Sequence, residues 1–246
     1  ALFSAHTLSR RQSLPRSFPA GAIVRNLREL LGLSLPLTAN RTVVTLLQSV
    51  EAASIPACLK LYGLNSADAL SLYGVLTGMA LPCILFPSAV TNSVGTVLMP
   101  AVSATSTTGN RTAVMHLLKK AVGSCFILGL ACCLFFLLFG RFIGTLLFHS
   151  SDAGKFILTL AWICPFLYTN SALISAINGY GRTTSTFLIN ACGLLVRIGS
   201  VFLVIPRFGI QGYLWGLLIS QLCVFVMTFC FLSSCVSKGQ TENILQ

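Results

Sequence analysis

The length and composition of this chain exclude an ordinary soluble domain. Its 246 residues are 55% hydrophobic and only 9% charged, and the mean hydropathy is +0.85. A typical soluble domain is about 25% charged, so this chain has too few polar side chains to cover a water-facing surface. The composition also excludes a disordered chain, a disulfide-stapled secreted fold and a polar repeat array. At about 20 apolar residues per crossing, the length allows about six helices. The sequence therefore predicts an all-α polytopic membrane protein.

The charge and the cysteines are interpreted in the light of that class. Sixteen Lys and Arg residues against five Asp and Glu residues give a net charge of +11. In a soluble protein this excess would suggest a nucleic-acid partner, but in a membrane protein it holds loops on the cytoplasmic side. We therefore expect no nucleic-acid partner. The ten cysteines form no C-x-x-C or Cys/His cluster and are expected to be buried thiols that pack as small hydrophobic groups.

Residues 1–28 differ in composition from the rest of the chain. They contain five arginines and no acidic residue, and the sequence does not begin with Met. An Arg- and Ser-rich organelle transit peptide is one interpretation. We favour the alternative, a basic cytoplasmic linker that enters a membrane helix in a chain that starts within a longer protein.

Six apolar segments follow the linker and predict a six-helix transmembrane lobe over residues 29–237, with a cytoplasmic tail at 238–246. Their approximate bounds are 29–55, 69–102, 121–139, 156–177, 183–205 and 212–235. Helices are favoured over barrel strands because each segment has the length of a helical crossing. Pro82 and Pro87 interrupt the second segment, which predicts a long, kinked helix. These two prolines are candidate hinge residues, with a static kink as the alternative.

The distribution of cations predicts the orientation of the bundle. If the N-terminus is cytoplasmic, ten Lys and Arg residues fall in the inner segments and four in the outer loops; the inner ones include Arg111, Lys119 and Arg182, and the outer ones include Lys60 and Arg207. This bias, most of which comes from residues 1–28, predicts that both termini lie in the cytoplasm.

The first segment contains polar residues that hydrocarbon does not tolerate. At 100° per residue, Asn40, Arg41, Gln48 and Glu51 share one helical stripe about 100° wide. A charge in the centre of a membrane helix costs at least about 2.5–3.5 kcal/mol, so this stripe should face protein or a water-filled cavity. We predict that these four residues line a substrate pathway. The alternative is that they bond to neighbouring helices or snorkel to the interface.

Arg197 is a second charged residue within an apolar segment and is a fifth candidate for the pathway. It lies nine residues before Pro206, so snorkelling to the outer boundary is an equal alternative. The sequence has no phosphate-binding loop, metalloprotease or nucleophile-elbow motif, and its three histidines are far apart. We expect no enzymatic activity, no metal site and no cofactor.

The first two segments carry a family resemblance. The runs from Leu35 to Thr38 and from Leu46 to Ala52, and the stretch from Ala69 to Ser103, are the residues that carry it. They resemble the stage V sporulation protein B branch of the polysaccharide exporters. That branch lies within the superfamily of multidrug, oligosaccharidyl-lipid and polysaccharide exporters.

This resemblance implies a flippase that moves lipid-linked sugar or cell-wall precursors outward across a bacterial plasma membrane. Members of the family have two six-helix lobes around a central cavity and work by alternating access. The chain is similar to the second lobe alone, so the resemblance implies a preceding lobe or a second copy as partner. In that setting Arg41 would offer a cation to a pyrophosphate. The alternatives are a drug/cation antiporter of the same superfamily, with Glu51 as its coupling carboxylate, and a membrane protein without transport activity.

Overall fold

The computed structural model describes residues 42–107 and 111–242, with side chains described at 42–105 and 112–234. The chain divides into two compact units, Ala1–Thr45 and Leu46–Gln246, and the described part of the first is the start of one helix. Across the described residues, all regular elements are helices and no strand occurs. The predicted all-α class is therefore confirmed.

Nine helices account for the described residues. They are α1 (Thr42–Leu61), α2 (Ser66–Leu85), α3 (Ser88–Thr107), α4 (Arg111–Leu146), α5 (Ser151–Ala161), α6 (Cys164–Gly179), α7 (Thr183–Leu203), α8 (Ile205–Phe208) and α9 (Ile210–Glu242). Five of these are long and apolar enough to cross a membrane, and α5 with α6, which meet at 55°, count as a sixth span if the bent pair crosses as one. The described part of the chain thus fits the predicted polytopic bundle.

The second predicted segment is kinked where its prolines lie. Within α2, Leu76–Ala80 form a π-helical turn in which the N–H of Leu81 bonds to the carbonyl of Leu76. Pro82 follows at once and has no N–H to donate, so the α-helical ladder cannot run unbroken through this point. Pro87 lies in the two-residue break between α2 and α3.

Two other prolines act differently from what the sequence suggested. We expected the first helix to end before Pro56, but α1 continues to Leu61. Proline removes one hydrogen bond, yet its fixed φ is compatible with a helix, and the surrounding packing outweighs the loss. Pro165, within the predicted segment 156–177, lies in the first turn of α6, directly after the 55° bend, which the sequence did not predict. There its missing N–H would have had no intrahelical acceptor.

Helix α4 is much longer than the apolar segment that predicted it. It has 36 residues against the 121–139 expected, which corresponds to about 54 Å. The hydrocarbon core is about 30 Å thick, so the helix extends beyond it. Hydropathy detects only the part of a helix that lies in lipid, whereas backbone hydrogen bonding carries the helix into the polar region around Lys119 and Lys120.

Helix α6 forms the centre of the bundle and packs against α3, α4 and α9. Tyr168, Ala172, Leu173 and Ala176 on this helix are almost fully buried. By contrast, large apolar side chains on the outer helices, such as Leu138 of α4 at 74% exposure, face outward. An outer surface so rich in apolar side chains is what a bilayer-embedded bundle requires.

Candidate functional site

Glu51 lies halfway along α1 and is 3% exposed. It precedes Ile55, Cys58 and Leu59 by four, seven and eight residues, and all three are buried. These spacings place the carboxylate on the same face of the helix as the apolar core residues. The stripe that makes α1 pack into the bundle therefore also carries its one buried acid among the described residues.

Glu51 is held by side chains from two other helices. Nη2 of Arg197 in α7 donates to Oε2 of Glu51 at 2.6 Å, and Nε of Arg197 lies 2.6 Å from Oε1. The Nε contact is an ion-pair contact, because its angle is not that of a hydrogen bond. The hydroxyl of Tyr213 in α9 donates to Oε1 at 2.8 Å. This ion pair and its tyrosine tie α1, α7 and α9 together in the interior of the bundle.

A cavity of about 310 Å³ lies beside this ion pair. It is lined by α1, α2, the α5–α6 bend, α7 and α9, and it opens to the outside of the bundle, where its lining residues Gln48, Thr77 and Leu85 are exposed. Most of its wall is apolar, from residues such as Ile55, Leu81, Ile84, Leu160 and Leu217. The Arg197 side chain is 22% exposed while that of Glu51 is 4% exposed, so the guanidinium is the more accessible member of the pair.

Four neutral polar side chains complete the lining of the cavity. They are Gln48 in α1, Tyr73 and Thr77 in α2, and Gln221 in α9. Nδ2 of Asn170 donates to the backbone carbonyl of Gln221 at 3.1 Å and to its side-chain Oε1 at 3.0 Å. Asn170 thereby fixes the orientation of this amide from the neighbouring helix α6.

The kink in α2 forms part of the cavity wall. Leu81, Ile84 and Leu85 line the cavity within the short helical turn that begins at the π-helical segment. The buried hydroxyl of Tyr168 donates to the carbonyl of Ile84 at 2.7 Å. Since a carbonyl in the last turn of a helix has no intrahelical donor, this bond stabilises the break.

The five predicted pathway residues can now be placed. Gln48, Glu51 and Arg197 line the same cavity, although Glu51 and Arg197 are 146 residues apart in the chain. Arg197 bonds to Glu51, so both residues bond to neighbouring helices, which was the alternative stated for the stripe, and their role in a substrate pathway stays a prediction. Asn40 and Arg41 lie outside the described residues. Pro82 and Pro87 lie at the kink, and their role as a hinge stays a prediction.

Sequence reasoning missed Tyr73, Thr77, Tyr213 and Gln221. A signal existed for Gln221, an amide inside the long apolar run of α9, since such groups are costly in hydrocarbon. Tyrosine and threonine are common in membrane helices, so the other three carried no such signal. In the described residues no group of three His, Cys, Asp or Glu side chains is arranged to hold a metal ion.

The chain is similar to stage V sporulation protein B of Bacillus subtilis (strain 168). The two are 26% identical over 186 residues, which are 75% of this chain and 36% of that protein. This match confirms the predicted family resemblance. The chain thus spans little more than a third of the length of this relative. No family model and no solved structure matches the chain. The helices and this relationship together make the chain a multi-pass membrane protein related to stage V sporulation protein B.

Proposed function

We propose that the chain is one lobe of a transporter that flips lipid-linked oligosaccharide or cell-wall precursors outward across the plasma membrane by alternating access. The observation that carries this proposal is the Glu51–Arg197 ion pair beside an open cavity lined by α1, α2, α7 and α9. An ion pair is an expensive way to stabilise a bundle core, since apolar residues of the same volume are often as good or better. Charged groups inside membrane proteins are costly, and a functional site is the default hypothesis for them.

The proposal includes an orientation and a partner. The excess of cations in the predicted inner segments supports a cytoplasmic location for both termini. Because the chain spans about a third of its relative, we propose that a second six-helix lobe completes the transport path. That lobe is either a segment preceding this one or a second copy of the chain.

Transport by the complete protein in liposomes tests the proposal. A fluorescent lipid-linked oligosaccharide is placed in both leaflets, and its movement is followed by chemical quenching of the outer leaflet. We expect protein-dependent flipping that is lost in Arg197→Gln and retained in Gln211→Leu, an exposed position on α9. Flipping no faster than in protein-free liposomes would contradict the proposal and favour a protein without transport activity.

The rival function is a drug/cation antiporter, and Glu51 is the observation in its favour. It is the buried carboxylate of the described residues, as such an antiporter would need for ion coupling. However, its charge is already neutralised by Arg197 at 2.6 Å, so an incoming cation would have to displace a tethered guanidinium. Efflux of a cationic dye driven by a proton or sodium gradient, and abolished by Glu51→Gln, would establish the rival instead.

A further inference from the structure

The charge of the cavity can be counted residue by residue. Among the described residues that line it, Glu51 and Arg197 alone carry a formal charge, and they contact each other at 2.6 Å. The two charges cancel, so the described residues that line the cavity carry no net charge. This is unexpected for a site that would bind the phosphate of a lipid carrier.

An anion would gain little from Arg197 in this setting. Any phosphate close enough to contact the guanidinium would also lie near the Glu51 carboxylate, which holds Arg197 from Nη2 and Nε. In a low-dielectric cavity, attraction by one group and repulsion by the other are both strong and oppose each other. The hydroxyl of Tyr213 donates a hydrogen bond to Glu51, which helps to hold the carboxylate next to Arg197.

The neutral polar groups of the cavity offer both donors and acceptors. Oε1 of Gln221 accepts from Asn170, which leaves the Nε2 protons of Gln221 as donors. The hydroxyl of Thr77 donates to the carbonyl of Tyr73, which leaves its oxygen as an acceptor. Gln48 adds an amide with both functions. Ligands rich in hydroxyl groups need this mixture of donors and acceptors.

The dimensions and walls of the cavity restrict the ligand further. Its volume of about 310 Å³ is at the lower end of the range of about 300–1,000 Å³ typical of small-molecule sites. The aromatic rings of Tyr73 and Tyr213 and the surrounding leucines provide apolar surface for the C–H faces of a sugar ring. The site is therefore large enough for one or two sugar rings.

We infer that this cavity binds the neutral, hydroxyl-rich sugar headgroup of the substrate and not its phosphate. This inference rests on the proposed function and specifies which part of the substrate the site recognises. It assigns Gln48, Tyr73, Thr77 and Gln221 to hydrogen bonding with the sugar, and Glu51 to keeping the Arg197 charge away from anions. The phosphate must then be held elsewhere in the complete transporter.

Two amphiphiles with the same alkyl chain provide the test. Dodecyl maltoside and dodecyl phosphate, each with a photoactivatable diazirine at the first carbons of the chain, are cross-linked to the complete protein in lipid nanodiscs. Labelled peptides are identified by mass spectrometry. We expect the maltoside to label α1, α2 and α9 beside the cavity at least several-fold more than the phosphate does. Competition by free maltose separates recognition of the sugar from recognition of the alkyl chain.

Charge variants test the role of the ion pair. Glu51→Gln removes the negative charge beside Arg197 and leaves the described cavity lining with a net charge of +1. The guanidinium can then form a favourable contact with a phosphate, so labelling by dodecyl phosphate should rise on the order of tenfold. The double variant Glu51→Gln/Arg197→Gln is neutral again and should keep the preference for the maltoside. If Glu51→Gln alone fails to fold, the double variant still tests the inference, because it leaves no unpaired charge in the bundle.

Polar variants test the sugar contacts. Tyr73→Phe and Gln48→Leu should each reduce maltoside labelling several-fold. Tyr62→Phe and Gln211→Leu, at exposed positions outside the cavity, are the matched controls and should have no effect.

Preferential labelling of the wild-type cavity by dodecyl phosphate, or no labelling of it by either probe, would overturn the inference. If the liposome assay still shows flipping, the proposed function survives that result. Maltoside labelling at the cavity in a protein that does not flip lipid would instead leave the sugar site standing and refute the transport.

Discussion

At the scale of single residues, Glu51 and Arg197 depend on each other. Each is a charge in the interior of a membrane bundle, and each neutralises the other through contacts of 2.6 Å. Removing one partner of a buried pair leaves an uncompensated charge, which is far worse than replacing both partners by neutral groups. The contribution of each residue to the stability of the protein therefore depends on whether the other is present.

A double-mutant cycle measures this dependence. We expect Glu51→Gln and Arg197→Gln each to destabilise the protein by about 3–5 kcal/mol, and the double variant to recover much of that loss. Thermal unfolding in lipid nanodiscs gives the three values. Lys155→Gln is the control, since it breaks the exposed Asp152–Lys155 pair and should change stability by less than about 1 kcal/mol. Strictly additive single effects would show that the pair is not coupled.

At the scale of elements, close helix packing depends on particular glycines. A Cβ atom added at Gly129 in α4 would lie 2.7 Å from the Cα atom of Pro165 at the start of α6, whereas one added at Gly123 would meet nothing within 4 Å. Both glycines belong to one helix. The difference between them is therefore one of packing and not of helix propensity.

The pair Gly129→Ala and Gly123→Ala tests this reasoning. Because Pro165 contributes rigid backbone at the contact, Gly129→Ala should destabilise the protein by about 1–3 kcal/mol. Gly123→Ala should be neutral or stabilise it by up to about 1 kcal/mol, as expected for alanine in an open helical position. The measurement is the unfolding midpoint of each variant. A similar shift for both would show that α4 and α6 do not approach each other as described.

Bending at the kink of α2 is the motion that the sequence predicts for this lobe. Pro82 and Pro87 each remove a backbone donor beside the cavity wall formed by Leu81, Ile84 and Leu85. Alanine at either position would restore a donor and allow a stiffer, straighter helix.

If the kink is a hinge, Pro87→Ala should slow flipping several-fold in the liposome assay while leaving the unfolding midpoint nearly unchanged. Pro100→Ala is the control because Pro100 lies inside α3, which continues through it, and does not line the cavity. An unchanged flipping rate in Pro87→Ala would identify the kink as static.

At the scale of the whole molecule, the number of crossings decides which loops share a side of the membrane. The link between α4 and α5 and the link between α7 and α9 should lie outside, and the link between α6 and α7, where Gly181 has a φ of 73°, should lie inside. The outer links carry fewer cations than the segments on the inner side.

Reporter fusions determine this arrangement. Alkaline phosphatase fused after His149 should be active and green fluorescent protein at the same place dark, and fusions after Gly181 should give the opposite result. The sign follows from the cation bias, which predicts that the α6–α7 link and its Arg182 lie in the cytoplasm. The same result at both positions would contradict six crossings.

The sequence by itself determined the class of this protein, its helical spans and the presence of expensive charges within them. The hydropathy of a segment depends only on its own residues, so a long apolar segment can be recognised without knowing which helices pack against it. For the same reason Glu51 and Arg197 could each be singled out from its own segment.

Only the tertiary structure decided that these two charges meet, that Tyr213 joins them, and that Gln221 faces the same cavity. Such pairings join segments far apart in the chain, and helix periodicity does not specify which faces of different helices come together. The ends of the helices were also not predicted, because backbone hydrogen bonding and packing extend a helix beyond the last apolar residue of its segment. For this protein, the sequence shows that Glu51 and Arg197 are costly to bury, and only the packing of the helices shows that each charge neutralises the other.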